Sequence, residues 1–229
     1  MLKVVIFDLD DTLISEYEYI KSGYMHIASY LENKGIDEAK NIYNRLISLF
    51  DESTKEVFNR LYDYYQVSYQ REDILELVRE YRNHRPNISW YDDVLPTLEK
   101  LKNKEIKLGM ITDGYKVTQR QKLDVLGANE LFDKIVVTDD LGQEFWKPNP
   151  RAYEMLKQYF DVEWDEIIYI GDNPKKDFYI KQLYPIKTAR IVRNKGVYDD
   201  ESYLEDIKED IKIKTLNELM EEGLIFKFW

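Results

Sequence analysis

VVIFDLDDTL, residues Val4–Leu13, joins a strand to three carboxylates. Its first four residues, Val4–Phe7, form a continuous apolar run, which is typical of a strand buried on both faces of a parallel sheet. Asp8, Asp10 and Asp11 follow, although carboxylates beside a buried strand are costly to desolvate. The pattern predicts either a capped turn or a group of carboxylates that perform chemistry.

Strand-like and helix-like stretches alternate in the second part of the chain. Four further strands are predicted, at Ile106–Thr112, Lys134–Asp139, Glu166–Asp172 and Thr188–Arg193. Helices are predicted between or before them, at about Val94–Asn103, Thr118–Leu126, Pro150–Phe160 and Lys175–Leu183. This alternation indicates an α/β fold with a doubly wound, Rossmann-like parallel sheet and helices on both faces.

A helical segment interrupts this pattern after the first strand. Between Ser15 and His84 the apolar residues recur at intervals of three and four, and RPN at Arg85–Asn87 ends the pattern. We therefore predict an α/β core at residues 1–14 and 92–229, with a helical domain at 15–91 inserted into it.

Composition excludes several functions. The 229 residues carry a formal net charge of −11, which argues against binding long nucleic acids or anionic membranes. There is no cysteine, so disulfides, thiolate metal sites and a cysteine nucleophile are excluded. No apolar stretch is long enough to span a membrane, and the first strand leaves no room for a signal peptide. We expect a cytoplasmic protein.

Residues with polar side chains, and one glycine with a backbone N–H group, lie at or shortly after the ends of four predicted strands. They are Asp8, Asp10, Thr112, Asp113, Gly114, Lys147, Asp172 and Asp177. Ligands of doubly wound sheets bind beyond the carboxyl ends of the strands, so these residues are expected to form one site.

The charges of this site predict its ligand. Asp8, Asp172 and Asp177 bring three negative charges, and a phosphate monoester would add about two more. Because Lys147 supplies one positive charge, the substrate would be repelled without a divalent cation. Mg²⁺ suits carboxylate and phosphate oxygens, so a metal-assisted phosphoryl site is predicted. Asp8 and Asp10 would face the same way on a regular strand and could divide nucleophilic attack and proton transfer between them.

Four motifs, DLDDT, ITDG, KPNP and GDNPKKD, resemble in sequence and order those of the haloacid dehalogenase-like hydrolases. The resemblance covers roughly two-thirds of the chain, and the helical insertion is similar to that family's helical cap of the first type. Asp10 resembles the acid that the phosphatases of the family have and the dehalogenases lack. The resemblance therefore implies a phosphatase.

The resemblance also implies catalytic roles. Asp8 would be the nucleophile that forms an aspartyl-phosphate. Asp10 would protonate the leaving alcohol and then activate the hydrolytic water. Thr112, with the backbone N–H groups of Asp113 and Gly114, would hold the phosphoryl oxygens.

Charge neutralisation is implied for a further set of residues. Lys147 would neutralise charge between Asp8 and the phosphoryl group. Mg²⁺ would bind Asp8, the backbone carbonyl of Asp10 and Asp172, with Asp177 either a direct ligand or one step removed.

The resulting hypothesis is a Mg²⁺-dependent hydrolase of a small phosphorylated metabolite, either a nucleotide monophosphate or a sugar or sugar-acid phosphate. A phosphotransferase or mutase with the same aspartyl-phosphate chemistry, and a non-catalytic binding protein, remain alternatives. Asp11 is expected to face solvent or cap a turn. Arg120 and Lys122, on the helix after ITDG, are predicted to form a solvated basic face.

Overall fold

The computed structural model describes residues 1–194, 196 and 202–220. Six parallel strands form one sheet in the order β3-β2-β1-β4-β5-β6. The strands are β1 Val4–Phe7, β2 Lys107–Thr112, β3 Lys134–Val137, β4 Ile167–Gly171, β5 Lys187–Ile191 and β6 Ile211–Ile213. The predicted α/β class with a doubly wound parallel sheet is confirmed.

β1 lies in the centre of the sheet because all four of its residues are apolar. Val5 pairs with Leu108 of β2 on one side and with Ile168 of β4 on the other. The chain order reverses at β1, and such a reversal leaves a crevice at the carboxyl ends of the two strands beside it. The residues that follow β1 and β4 therefore lie next to that crevice.

Helices cover both faces of the sheet. The core helices are α5 Val94–Lys102, α6 Lys116–Val125, α7 Ala128–Leu131, α8 Arg151–Phe160, α9 Ile180–Leu183 and α10 Asn217–Met220. Val5 and Phe7 pack in one apolar cluster, and Val4 and Ile6 pack in the other. This alternation explains why the strand has no polar face.

Several elements differ from the prediction, among them the short helices α7 and α10, which were not predicted. The helix expected from Lys175 begins only at Ile180, because side chains bond the backbone of the preceding turn. Asn173 Oδ1 accepts from the Lys175 amide at 3.0 Å, and Asp177 Oδ2 accepts from the Asn173 amide at 2.9 Å. Such bonds compete with helix formation. β6 was not predicted, because three residues are too few to show a period.

A second compact unit is formed by Glu18–Asn87, and Met1–Tyr17 groups with the chain from Ile88 onward. The helices of this region are α1 Glu16–Asn33, α2 Ala39–Glu52, α3 Val57–Tyr64 and α4 Arg71–Asn83. Aromatic rings hold the helical unit together: Tyr24 contacts Phe50, Phe58 and Tyr81 with ring centroids 5.8–6.3 Å apart. Within the described part of the chain, no helix combines the length and apolar character that membrane crossing requires.

Candidate active site

Asp8 is the first residue after β1 and is 3% exposed. Its amide donates to the carbonyl of Ile170 at 2.8 Å, which extends the pairing of β1 with β4 by one residue. The carboxylate is therefore placed by the sheet itself. Desolvation raises its pKa to about 6, although the Lys147 ammonium opposes this.

Lys147 is buried against Asp8. Its Nζ donates to Oδ1 of Asp8 at 2.5 Å. It also donates to the hydroxyl of Tyr169 at 2.8 Å and to Oδ1 of Asp177 at 2.8 Å. Burial lowers the pKa of Lys147, but the carboxylates of Asp177 and Asp8 outweigh burial and raise it above its ordinary value. Lys147 is thus a fixed positive charge with all three N–H donors engaged.

The oxygens of three buried carboxylates approach within 4.8 Å of one another: those of Asp8, Asp172 and Asp177. Burial alone would raise the pKa of Asp177, but the ammonium groups of Lys147 and Lys176, together with the hydrogen bonds from Lys147 and the Asn173 amide, outweigh burial and lower it. Burial, followed by the charges of Asp177 and Asp8, raises the pKa of Asp172 well above its ordinary value. This hard-oxygen donor set with excess negative charge fits Mg²⁺.

Asp177 is already engaged by protein donors. Oδ1 accepts from Lys147 and from the Tyr169 hydroxyl, the latter at 3.1 Å, and Oδ2 accepts from the Asn173 amide. A direct bond to a cation would compete with these bonds. The geometry therefore favours the indirect role for Asp177.

The ITDG motif leads from β2 into α6. Thr112 is buried, and its Oγ1 accepts from Nε2 of Gln119 at 2.5 Å. The Asp113 carboxylate accepts from Thr138 Oγ1 at 2.8 Å and from the Lys147 amide at 3.1 Å. These bonds connect the second motif to the loop that carries Lys147.

The surroundings of Asp10 show that the prediction made for Lys122 was wrong. Lys122 was predicted to be solvated, but it is 3% exposed and its Nζ donates to Oδ1 of Asp10 at 2.6 Å. Gln119 Nε2 donates to Oδ2 of Asp10 at 2.9 Å. Arg120 does face solvent and pairs with Asp140. The signal that was overlooked is the spacing of three residues between Gln119 and Lys122, which places both on one helix face.

Of the two alternatives expected for Asp11, facing solvent or capping a turn, the structure excludes the first. It is 1% exposed, and its Oδ1 accepts from the amide of Glu16 at 2.9 Å. Glu16 is the first residue of α1, whose initial N–H groups have no partner within the helix. Asp11 therefore satisfies the turn-capping alternative.

A cavity of about 350 Å³ opens beside Asp8 and Asp10. Sequence reasoning did not select several of its lining residues, which are Glu16, Tyr115, Trp146, Asn173 and Lys176. Burial and then the charge of Asp10 raise the pKa of Glu16 to about 7. Lys176 Nζ lies 3.3 Å from Oδ2 of Asp113 and adds a second ammonium to the site. The one sequence signal for Lys176 is its position directly before Asp177 in the motif GDNPKKD.

Sequence comparisons identify relatives along almost the entire chain. A family model described as haloacid dehalogenase-like hydrolase matches residues 5–191. A glyceraldehyde 3-phosphate phosphatase of Methanocaldococcus jannaschii is 28% identical over 226 residues, covering 96% of each chain. A pyrophosphatase PpaX of Bacillus anthracis is 26% identical over 227 residues, covering 96% of this chain and 95% of that protein.

Solved structures share the fold. A HAD phosphatase from Thermococcus onnurineus matches with a TM-score of 0.61 and 26% identity, covering 96% of this chain and 97% of its own. A 2-haloacid dehalogenase of Pseudomonas syringae matches with a TM-score of 0.64 at 21% identity, covering 99% of this chain and 100% of its own. The second likeness concerns the fold alone, because related folds carry different reactions.

Proposed function

This chain belongs to the haloacid dehalogenase-like hydrolases, and we propose that it is a Mg²⁺-dependent phosphatase that transfers a phosphoryl group to Asp8 and then to water. One observation carries the proposal. Asp8 is buried between the Lys147 ammonium and the Asp172 carboxylate, and Asp10 lies beside the same cavity. A nucleophile, a proton carrier and charge compensation are thus available in one place.

In the first step, an oxygen of Asp8 forms a bond to phosphorus while the bond from phosphorus to the ester oxygen breaks. The Asp10 carboxyl group gives its proton to the departing oxygen, so the products are an alcohol, phosphorylated Asp8 and an Asp10 carboxylate. A well-placed general acid of this kind contributes roughly 10²–10⁴-fold to the rate.

In the second step, water attacks phosphorus and gives a proton to the Asp10 carboxylate. The bond from phosphorus to the Asp8 oxygen breaks, which releases inorganic phosphate and restores both side chains. The Thr112 hydroxyl and the backbone N–H groups of Asp113 and Gly114 would hold the phosphoryl oxygens. Phosphoryl transfer depends on such positioning and charge stabilisation.

The carboxylates of Asp8 and Asp172, with the backbone carbonyl of Asp10, would hold Mg²⁺. Bound there, the cation would neutralise the charge that gathers on the phosphoryl group during displacement. Asp177 would act by holding Lys147 against Asp8, as its two bonded oxygens suggest.

The proposed substrate is a small phosphorylated metabolite. The two named relatives support this class, since one is a glyceraldehyde 3-phosphate phosphatase and the other a pyrophosphatase. Nucleotide monophosphates and sugar or sugar-acid phosphates are further candidate substrates. A cavity of about 350 Å³ matches the size of such ligands.

Phosphate release tests the proposal. We would assay glyceraldehyde 3-phosphate, pyrophosphate, nucleotide monophosphates and sugar phosphates, first with Mg²⁺ and then with a chelator. Release that requires the cation and disappears in Asp8→Asn is expected. Failure to release phosphate from any of these compounds would contradict a hydrolase, and release in Asp8→Asn at the wild-type rate would remove Asp8 as the nucleophile.

A further inference from the structure

Both oxygens of Asp10 are held by one helix. Lys122 Nζ lies 2.6 Å from Oδ1, and Gln119 Nε2 lies 2.9 Å from Oδ2. The two donors are three residues apart on α6, so they project from the same face of the helix. The carboxylate therefore has a fixed position and a fixed plane before any substrate binds.

The burial of Lys122 makes this arrangement specific. An ammonium leaves water only at a considerable cost in free energy, which a close carboxylate offsets when the geometry is good. The Lys122 side chain is 3% exposed, whereas that of Asp10 is 19% exposed and reaches the cavity. The cation thus lies behind the carboxylate, and of these two residues Asp10 is the one that lines the cavity.

The same helix carries a surface ion pair for comparison. Arg120 Nη2 lies 2.7 Å from Oδ2 of Asp140, and the Arg120 side chain is 65% exposed. Exposed pairs of this kind contribute little to stability. An exposed ion pair such as Arg120–Asp140 is enough to anchor α6, so anchoring alone does not explain why Lys122 is buried behind Asp10.

Gln119 links proton transfer to phosphoryl binding. Its single Nε2 group lies 2.9 Å from Asp10 Oδ2 and 2.5 Å from Thr112 Oγ1. Thr112 is the hydroxyl that would meet the phosphoryl group. One buried side chain therefore bridges the proton carrier and the phosphoryl pocket.

We propose that Lys122 and Gln119 are positioning residues that hold Asp10 in place to protonate the leaving oxygen. This inference rests on the proposed phosphatase function. Neither residue contacts the phosphoryl group in this scheme, because both act through Asp10 and, for Gln119, also through Thr112. The proton still passes from Asp10 to the ester oxygen as the ester bond to phosphorus breaks.

Leaving groups of different quality test the proposal. An alkyl alcohol needs a proton to depart, whereas 4-nitrophenolate leaves without one. In Lys122→Met we expect kcat/KM for glycerol 3-phosphate to fall at least about tenfold, and kcat/KM for 4-nitrophenyl phosphate to fall less than about threefold. The matched control Arg120→Met removes the exposed cation of the same helix and should change neither value.

A double variant distinguishes positioning from general damage. If Lys122 acts through Asp10, adding Lys122→Met to Asp10→Asn should cause no further loss with glycerol 3-phosphate. Equal losses for both esters, or a full additional loss in the Asp10→Asn background, would overturn the proposal. Lys122→Gln, a milder change, decides the same comparison if Lys122→Met does not fold.

The test separates this inference from the function on which it rests. A wild-type protein that hydrolyses neither of these esters nor any of the phosphorylated compounds assayed for the proposed function contradicts the phosphatase proposal itself. An active wild-type protein whose Lys122→Met variant responds alike to both esters contradicts only the positioning role.

Discussion

At the scale of single residues, catalysis depends on charges that the fold has removed from water. Asp8 and Lys147 approach to 2.5 Å where neither is exposed to solvent. Removing one member of such a buried pair leaves the other uncompensated. Substitutions here therefore change stability as well as activity, and both should be measured.

Asp8→Asn is expected to lower phosphate release at least about 10³-fold, because an amide cannot accept the phosphoryl group. Its volume is nearly that of aspartate, so the far-ultraviolet circular dichroism should be unchanged. A folded Asp8→Asn protein that keeps more than a tenth of the activity would contradict the nucleophilic role.

Asp172→Asn is expected to stabilise the metal-free protein, since it removes a negative charge buried beside Asp8 and Asp177. A gain of about 1 kcal/mol would raise Tm by about 2–4 °C in a chain of this size. Thermal unfolding in a chelator measures it, with Asp140→Asn as a surface control. A lower Tm would show that Asp172 is compensated by the protein alone.

Several of the residues that sequence reasoning identified are adjacent to a strand end, whereas Lys147 and Asp177 were identified from the motifs KPNP and GDNPKKD. Asp8, Thr112 and Asp172 each follow a run of β-rich apolar residues, so local pattern locates them. Lys122 was predicted wrongly because its helix is polar on most sides. Its burial depends on Asp10, which is 112 positions away in the chain. The spacing from Gln119 indicates a shared helix face but not the residue that covers it.

At the scale of elements, β4 places more than its own residues. Gly171 ends the strand, and a Cβ at this position would come closer than 3.0 Å to the Asp177 carboxylate. Asp177 in turn bonds Lys147. The glycine is therefore required by the close approach of a carboxylate that orients the catalytic lysine.

Gly171→Ala should lower kcat/KM about tenfold or more by displacing Asp177 and loosening Lys147, since a shift of about 1 Å can cost far more. Steady-state kinetics beside a thermal melt would measure this. Asp177→Asn is the comparison variant, because it weakens the same contact without adding a methyl group. Unchanged kinetics in Gly171→Ala would show that Asp177 moves aside without consequence.

The strands were easier to predict than the connecting segments. Buried strands consist of apolar runs that a sequence displays directly, as Ile167–Gly171 does. The first residues of the helix predicted at Lys175–Leu183 are not helical, and the side-chain bonds to the backbone that prevent a helix there leave no periodic signature in the sequence.

At the scale of the whole molecule, one edge of the sheet gathers groups that are far apart in the sequence. Asp8, Lys147 and Asp172 lie together, and Thr112 is joined to Asp10 through Gln119, because parallel strands end on the same side. The α/β class could be predicted from the alternation of strand-like and helix-like stretches along the sequence. The predicted boundaries of the helical insertion, residues 15 and 91, stay predictions.

The global stability should depend on pH and Mg²⁺ together. Asp8 has a raised pKa, about 6 in the folded protein against 3.8 ordinarily, and that of Asp172 is raised as well. A raised carboxyl pKa means that the folded state holds its proton more tightly than the unfolded chain. The favourable contribution is present in full below pH 3.8 and is lost as pH rises through about 6.

We therefore expect these carboxylates to destabilise the metal-free protein more at pH 7.5 than at pH 5. Added Mg²⁺ should raise Tm more at pH 7.5 than at pH 5, because fewer protons must be displaced from the two carboxyl groups before they bind the cation. Differential scanning calorimetry at the two pH values, with and without the cation, measures this. An equal Mg²⁺ effect at both values would contradict binding through these two groups.

The central position of β1 also constrains the order in which the chain can acquire its shape during synthesis. Val4–Phe7 leave the ribosome before their partner strands, which begin at Lys107 and Ile167. The contacts that bury this run must therefore wait for more than a hundred further residues to be translated. The compact unit of Glu18–Asn87 is fully translated before β2 begins. The nascent chain exposes this apolar segment until its partner strands are translated, which makes early chaperone binding to Val4–Phe7 advantageous.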